Sequence, residues 1–275
     1  MPRRRPLENI LLGTDPECFI FNTKTNKVKS SVRLIPGTKD NPHKIPELGE
    51  GFALQTDNIL AEFNIPPAKY ANDFISSINK MKEYIRNYVK NINPDYDILC
   101  ASSQNVPKSE LRSKQAREYG CDPDYCVYTG TVNPKPEDAT KSTIRGAGFH
   151  LHIGYDAPEI DRSLRLITYL DAYLGLPSIL IDKDTERRKL YGQAGCFRLT
   201  KYGCEYRTLS SFFMKDDKHL RWVLEQVNKA ISAYNDCVEI PPMEITQEVI
   251  NTNNTELAKK LCEKYDICSN FLTEE

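Results

Sequence analysis

The sequence predicts an α+β fold: a twisted antiparallel sheet of about six strands, with a site on its concave face and helices packed on its convex face. Three observations lead there. Strand-like and helix-like periods alternate several times along 275 residues with no repeat or low-complexity linker. Long amphipathic helical stretches lie between the strand-like ones. Ionisable side chains two residues apart recur on separate strand-like segments, and that spacing puts each pair on one strand face.

In chain order, Leu7 to Asn22 reads as a strand with a polar Thr14-Asp15-Pro16-Glu17 entry, followed by a turn over Thr23 to Lys27. Phe52 to Ile65 reads as two short strands or one bent strand around Asp57-Asn58, stopped by Pro66-Pro67, which cannot donate to a ladder. From Ala68 to Asn91, Phe74, Ile75, Ile78, Met81, Ile85 and Val89 recur at three- and four-residue steps and predict a helix. Pro94 to Cys100 is a further strand, and Lys108 to Thr143, polar and rich in Pro and Asp, is a long loop with little regular structure. Phe149 to Ile153 alternates with period two, and Pro158 to Leu176 is helical. Phe197-Arg198-Leu199 and Glu205 to Leu209 make a hairpin around Lys201-Tyr202-Gly203, and helices over Lys218 to Val238 and Gln247 to Tyr265 close the chain.

With 37 Lys plus Arg against 38 Asp plus Glu the net charge is -1, so no bulk field marks a nucleic-acid or membrane binder. Unbroken apolar stretches such as Ile10 to Leu12 and Ile179 to Ile181 fall far short of the roughly 20 residues of a membrane span. Arg3-Arg4-Arg5 lead into Pro6 rather than an apolar segment, unlike a secretory signal. The nine cysteines form no CxxC pair, which disfavours a zinc ribbon and suits reduced thiols. A soluble, cytoplasmic protein is expected, without a membrane partner. His43 and His219 are expected at the surface, and Trp222 in the core.

The candidate site residues are Asp15 and Glu17, Asp57 with Glu62 and Asn64, His150 and His152, and Glu205 with Arg207 and the nearby Arg198. Any one pair could face solvent, but carboxylates, imidazoles and guanidiniums segregate onto separate strands. Carboxylates plus one imidazole suit a hard cation such as Mg²⁺ or Mn²⁺, and arginines then neutralise phosphate oxygens. That is a layout for phosphoryl transfer without a Walker-type glycine loop.

Gly13 to Phe21 resembles the opening strand of the glutamine synthetase catalytic domain, where two alternate acids bind two divalent metals. Gly146-Ala147-Gly148-Phe149-His150-Leu151-His152 is similar to that superfamily's glycine-rich strand, and Glu205-Tyr206-Arg207 to its late metal-binding glutamate and phosphate-binding arginine. Closer are the phage carboxylate-amine ligases of the glutamine synthetase and glutamate-cysteine ligase superfamily. Asp57 to Pro67, Gly120 to Tyr125 and Tyr191 to Arg198 resemble them, and the likeness spans roughly Leu12 to Phe213.

The resemblance implies a glutamine synthetase-like ligase domain over 7-240, with 241-275 a helical extension packed on it. It implies ATP-dependent amide or isopeptide formation through an acyl phosphate, joining small-molecule or peptide carboxylates and amines. Asp15, Glu17, Asp57, Glu62, His150 and Glu205 would hold Mg²⁺ or Mn²⁺. Arg198, Arg207 and Glu62 would be catalytic, and His152, Arg188, Arg198 and Arg207 would bind nucleotide, with Arg187 a second choice beside Arg188. If phage-encoded, the chain would work in the host cytoplasm. The sequence departs from glutamine synthetase in having Asp15 for a glutamate, Leu54 for a glutamate eight positions before Glu62 (a gap Asp57 could fill), and no small N-terminal domain, which favours a self-contained site. The rivals are a metal-dependent hydrolase built on the His-x-His strand and an inactive binding protein on the same scaffold. Substrate choice is expected to lie in the 108-143 loop.

Overall fold

The structure is a computed structural model and describes residues 5-117, 124-133 and 142-268. The strands are β1 (Leu11–Thr14), β2 (Glu17–Asn22), β3 (Lys27–Lys29), β4 (His43–Lys44), β5 (Ala53–Asp57), β6 (Leu60–Asn64), β7 (Tyr96–Leu99), β8 (Ser103–Asn105), β9 (Tyr125–Cys126), β10 (Ile144–Gly146), β11 (Leu151–Gly154), β12 (Cys196–Thr200) and β13 (Gly203–Tyr206). The helices are α1 (Ala71–Ile92), α2 (Lys114–Arg117), α3 (Ile160–Leu170), α4 (Leu176–Ile181), α5 (Glu186–Leu190), α6 (Asp217–Asp236), α7 (Met243–Thr252) and α8 (Thr255–Lys264). The class is α+β with antiparallel strands, as expected. The strands do not form one six-stranded sheet, however. One sheet runs β1-β11-β13-β12-β9, and a second runs β3-β2-β6-β5-β4 with β7 also on β2.

The division arises at Asp15-Pro16. The single strand expected over Leu7 to Asn22 is two, because the chain leaves the first sheet after Thr14 and enters the second at Glu17. Proline cannot donate to a ladder there. Its carbonyl instead accepts from Phe63 N at 3.1 Å, and Glu17 N donates to Gly148 O at 2.9 Å. Leu12 and Ala68 exchange both backbone hydrogen bonds, at 2.9 and 2.7 Å. The two sheets are thereby stitched into one curl, and Asp15 sits at the seam.

α1 turns Phe74, Ile75, Ile78, Met81, Ile85 and Val89 inward, into the same core as Leu54, Phe63, Leu151 and Ile153. Alternation on β11 and β13 buries Leu151, Ile153, Cys204 and Tyr206 against the helices and leaves His152 and Glu205 on the other face. The helical run from Ile160 to Ile181 is long and apolar enough to cross a membrane by length and composition alone, because its apolar residues are spaced along a helix rather than strung together. In this fold 78% of its most apolar window is buried. The run is interrupted at Asp171–Gly175 by a wider turn. Asp171, fully buried, there accepts from Tyr206 Oη at 2.7 Å and Tyr128 Oη at 2.8 Å. Burial raises its pKa to about 6, against those hydrogen bonds.

The closing helix expected over Gln247 to Tyr265 is instead α7 and α8, separated at Asn253, whose φ of 54° ends α7 in the left-handed region. His219 is not at the surface. It is buried at the start of α6, with Nδ1 2.7 Å from Asp216 Oδ1 and its ring edge-on to Phe212. His43 is exposed and Trp222 is core, as expected. The expected 108-143 loop holds two short helical turns, β9 and no long element among its described residues, and 118-123 and 134-141 lie outside them.

Removing the Tyr206 hydroxyl leaves the buried Asp171 carboxylate short of a donor. Tyr206→Phe is expected to lower stability by about 1–3 kcal/mol in urea unfolding, with an unchanged slope. No loss would show that Asp171 is held by its other donors alone.

Candidate active site

Strand register assembles the site. On the first sheet Gly13, His152, Glu205 and Arg198 are successive cross-strand partners, and on the second Glu17, Glu62 and Gln55 are. His150, just before β11, joins this row because Gly148 leaves room for it: a Cβ on Gly148 would come within 2.4 Å of His150 Nε2. Thr14 Oγ1 donates to His150 O at 2.6 Å and fixes that backbone.

At the seam, His150 Nδ1 is 3.4 Å from Asp15 Oδ1 and 3.7 Å from Glu205 Oε1. One ligand atom each from Asp15, His150 and Glu205 lies within 4.8 Å of the others. Burial, followed by the Arg207 charge, lowers the His150 pKa to about 4, so the ring is neutral near pH 7 and has a lone pair for a cation. Asp15 is held well below the carboxylate range: burial opposes ionisation, but hydrogen bonds and charges from both histidines outweigh it. His152 Nε2 lies 3.0 Å from Asp15 Oδ1, and the Tyr202 hydroxyl lies 2.7 Å from Nδ1 of the same ring.

A second acidic group lies across the seam. Glu17 is buried, accepts from Gly148 N at 2.5 Å, and has its pKa pushed up to about 8 by burial and then by Asp57. Burial, with the charges of Asp15, Asp57 and Glu17, raises Glu62 well above the usual range, and burial raises Asp57 too. These carboxylates face one another, and Lys39 and the nearby arginines offset their repulsion and burial only in part, since all three stay raised. A divalent cation suits them better than protons do, so the donors on both sides of the seam fit Mg²⁺ or Mn²⁺.

The arginines divide. Arg207 bonds to Glu205 and lies 3.4 Å from Asp124 Oδ2, and Arg198 Nη1 lies 3.8 Å from Glu205 Oε1. Arg187 and Arg188 point different ways from α5. Arg188 bonds to Asp184 O, Asn253 Oδ1 and Ser178 Oγ, outside the cleft lining. Arg187 lies at the cleft and donates to Thr208 O at 2.9 Å and Arg207 O at 3.3 Å. Gly192, at φ 73°, makes this possible, since a Cβ there would overlap Arg187 Nη1.

Three cavities adjoin these groups. The first, narrow at about 30 Å³, has Arg145, Arg187, Asn58 and Tyr191 in its wall. The second, about 210 Å³, is lined by Asp15, Glu62, Gln55, Lys39 and Arg198. Glu17, Asp57, His150 and Arg207 line both. The third, about 680 Å³, shares Pro42 and Asn64 with the second. The structure thus brings Asp15, Glu17, Asp57, Glu62, His150, Arg198, Arg207, His152 and Glu205 together, and leaves Arg188 aside. Lys39, Arg145 and Gln55 are cleft residues that the sequence reading missed. Arg145 carries a signal, its place directly before the glycine-rich strand; Lys39, in an irregular loop, carries none.

Residues 144–254 match the family described as phage phiEco32-like COOH.NH2 ligase type 2. The matched segment includes His150, His152, Arg187, Arg198, Glu205 and Arg207, and it supports the resemblance to carboxylate-amine ligases. No curated protein matches the chain. Among solved structures, a bifunctional glutathione synthetase from Pasteurella multocida is similar over 96% of this chain at 13% identity, with a TM-score of 0.44. The chain spans 45% of that enzyme's length.

Without metal, ionising Glu17 costs folding energy. Its folded pKa of about 8 stands above the unfolded value of 4.5, so stability falls as pH rises between them. His152, raised above its model-peptide 6.5, acts in the same direction once pH exceeds that value. His150, depressed to about 4, opposes them only below 6.5. In EDTA, Tm is therefore expected to fall from pH 6.5 to about pH 8, and the fall should shrink in Glu17→Gln and on adding Mg²⁺. A metal-free Tm that rises over this window would contradict the assignment.

Proposed function

We propose that the chain is an ATP-dependent carboxylate-amine ligase that makes an amide or isopeptide bond through an acyl phosphate. The observation that carries this reading is the juxtaposition at the sheet seam of the Asp15, His150, Glu205 cluster, the buried Glu17 and Glu62, and two arginines of the first sheet. The family match over residues 144–254 supports it. We take the scaffold as glutamine synthetase-like, with 7-240 as the ligase domain and 241-275 as its helical extension.

Asp15, His150 and Glu205 would hold one divalent cation, and Glu17 and Glu62 a second, with Asp57 beside it. Such cations, when bound, supply positive charge to the oxygens of the phosphate being transferred. Arg198 and Arg207 reach into the same cleft, and a guanidinium can bind two phosphate oxygens in a fork while staying charged. The carboxylate end of the acid substrate would reach into the first cavity, where Arg145 and Arg187 offset its charge. A carboxylate oxygen attacks the γ-phosphorus and ADP departs. The amine nitrogen then attacks the acyl carbon, and phosphate leaves. His152, bridged between Asp15 and Tyr202, would meet the nucleotide.

A hydrolase of the His-x-His kind needs more imidazoles. Among the described residues His43 is exposed on β4 and His219 bonds to Asp216, and neither enters the cluster.

Two outcomes are expected. With ATP, Mg²⁺ and a panel of amino acids and dicarboxylic acids, hydroxylamine should trap a hydroxamate, and His150→Ala or Glu205→Ala should abolish it without unfolding the chain. ATP hydrolysis that is independent of added acid and yields no hydroxamate would refute the ligase reading. Arg207→Lys should lower kcat at least tenfold while changing the Kd for ATP far less, because the fork geometry is lost and one charge remains. Unchanged turnover would remove Arg207 from phosphate binding.

A further inference from the structure

The third cavity has no part in the metal or phosphate chemistry above, yet it neighbours the second and shares Pro42 and Asn64 with it. Its wall is apolar, with Ile45 and Phe52 buried beneath it and Ala53 beside them, while Lys44 and Glu50 stand exposed at the rim. Local structure holds that wall in shape. Ile45 N donates to Phe52 O at 3.0 Å, and Gly51, at φ 90°, packs where a Cβ would lie 3.0 Å from Pro66.

Its position selects among the reactants. The neighbouring flank of the metal cleft belongs to the second sheet, where Asp57, beside the Glu17 and Glu62 pair that would hold the second cation, can attract an ammonium group; Lys39 lies in the same wall. Arg198 and Arg207, which suit phosphate, come from the first sheet, as do His152 and the adjoining Tyr202. Asn64 lies two residues beyond Glu62 on the same face of β6, about 7 Å further along the strand. Asn64 lines both cavities, and its side-chain amide has an oxygen that can accept from an N–H.

Resting on the ligase reading, we infer that the third cavity binds the amine substrate, a primary amine on an apolar body larger than ammonia, and that Asn64 orients its nitrogen toward the acyl phosphate. Ammonia alone needs no apolar chamber of this size. In the step served, the ammonium gives one proton to a carboxylate of the second-sheet flank, the freed nitrogen lone pair forms the C–N bond, the C–O bond to phosphate breaks, and the nitrogen passes a second proton to the departing phosphate.

The test uses phenethylamine as an apolar probe and ethanolamine as a polar one, with the full chain in Mg²⁺ and ADP. Saturation-transfer NMR is expected to show phenethylamine bound more strongly than ethanolamine, with the phenethylamine signal reduced at least fivefold in Ala53→Leu, which fills the cavity, and in Asn64→Leu, which removes the amide that would hold the amine. Thermal melts check that each variant folds. Hydroxylamine is small and needs no chamber, so Ala53→Leu, which lines the third cavity and not the metal cleft, should still form hydroxamate from ATP and acid at near wild-type rates. Equal phenethylamine signals in wild type and both folded variants would overturn the inference. So would loss of hydroxamate formation in folded Ala53→Leu, which would make the third cavity part of the metal cleft. A wild type that binds phenethylamine but forms no hydroxamate would instead overturn the ligase reading beneath it.

Discussion

Glu17 and Glu62 stand directly opposite each other on paired strands, and both are buried. Like charges in that position destabilise a sheet even at the surface, and burial sharpens the conflict. The fold places Asp57 beside them and Asp15 across the seam, which raises the cost of ionisation further. Protons can relieve the conflict, at the expense of any chemistry that needs carboxylates. A divalent cation relieves it and keeps them ionised. The remainder of the structure can be understood as scaffold that holds this arrangement in place against its own repulsion.

That scaffold works from behind the strands. Tyr206 lies between Glu205 and Arg207 in sequence but points to the opposite face, where its hydroxyl is fixed by Asp171. Tyr128 bonds to the same carboxylate, so the segment carrying Asp124, the partner of Arg207, is tied to the same point. Arg187 completes the support by binding the carbonyls of Arg207 and Thr208. The site side chains therefore inherit their precision from buried polar groups that would never touch a substrate.

Much of this could be read from the chain, because it depends on local period. Alternation over Phe149 to Ile153 and around the 196-206 hairpin puts His150, His152, Glu205 and Arg207 on one face whatever the tertiary context. The apolar spacing of α1 is equally local. What could not be read depends on distant partners. The break at Asp15-Pro16 that splits one strand between two sheets is set by Phe63 and Gly148. Arg187 rather than Arg188 reaches the cleft because Gly192 leaves space for it. His219 is buried by Phe212 and Phe213, which precede its helix. Lys39 reaches the second cavity from a loop whose course no periodicity encodes.

The central claim is that two cations replace protons among the buried carboxylates, and counting ions tests it most directly. Mn²⁺ titrated into the metal-free chain, with free Mn²⁺ followed by electron paramagnetic resonance, is expected to give two bound ions per chain near pH 8. Glu62→Gln should remove one and spare the other, and Glu205→Gln should do the reverse. A chain that binds no Mn²⁺, or whose stoichiometry neither substitution alters, would contradict the claim.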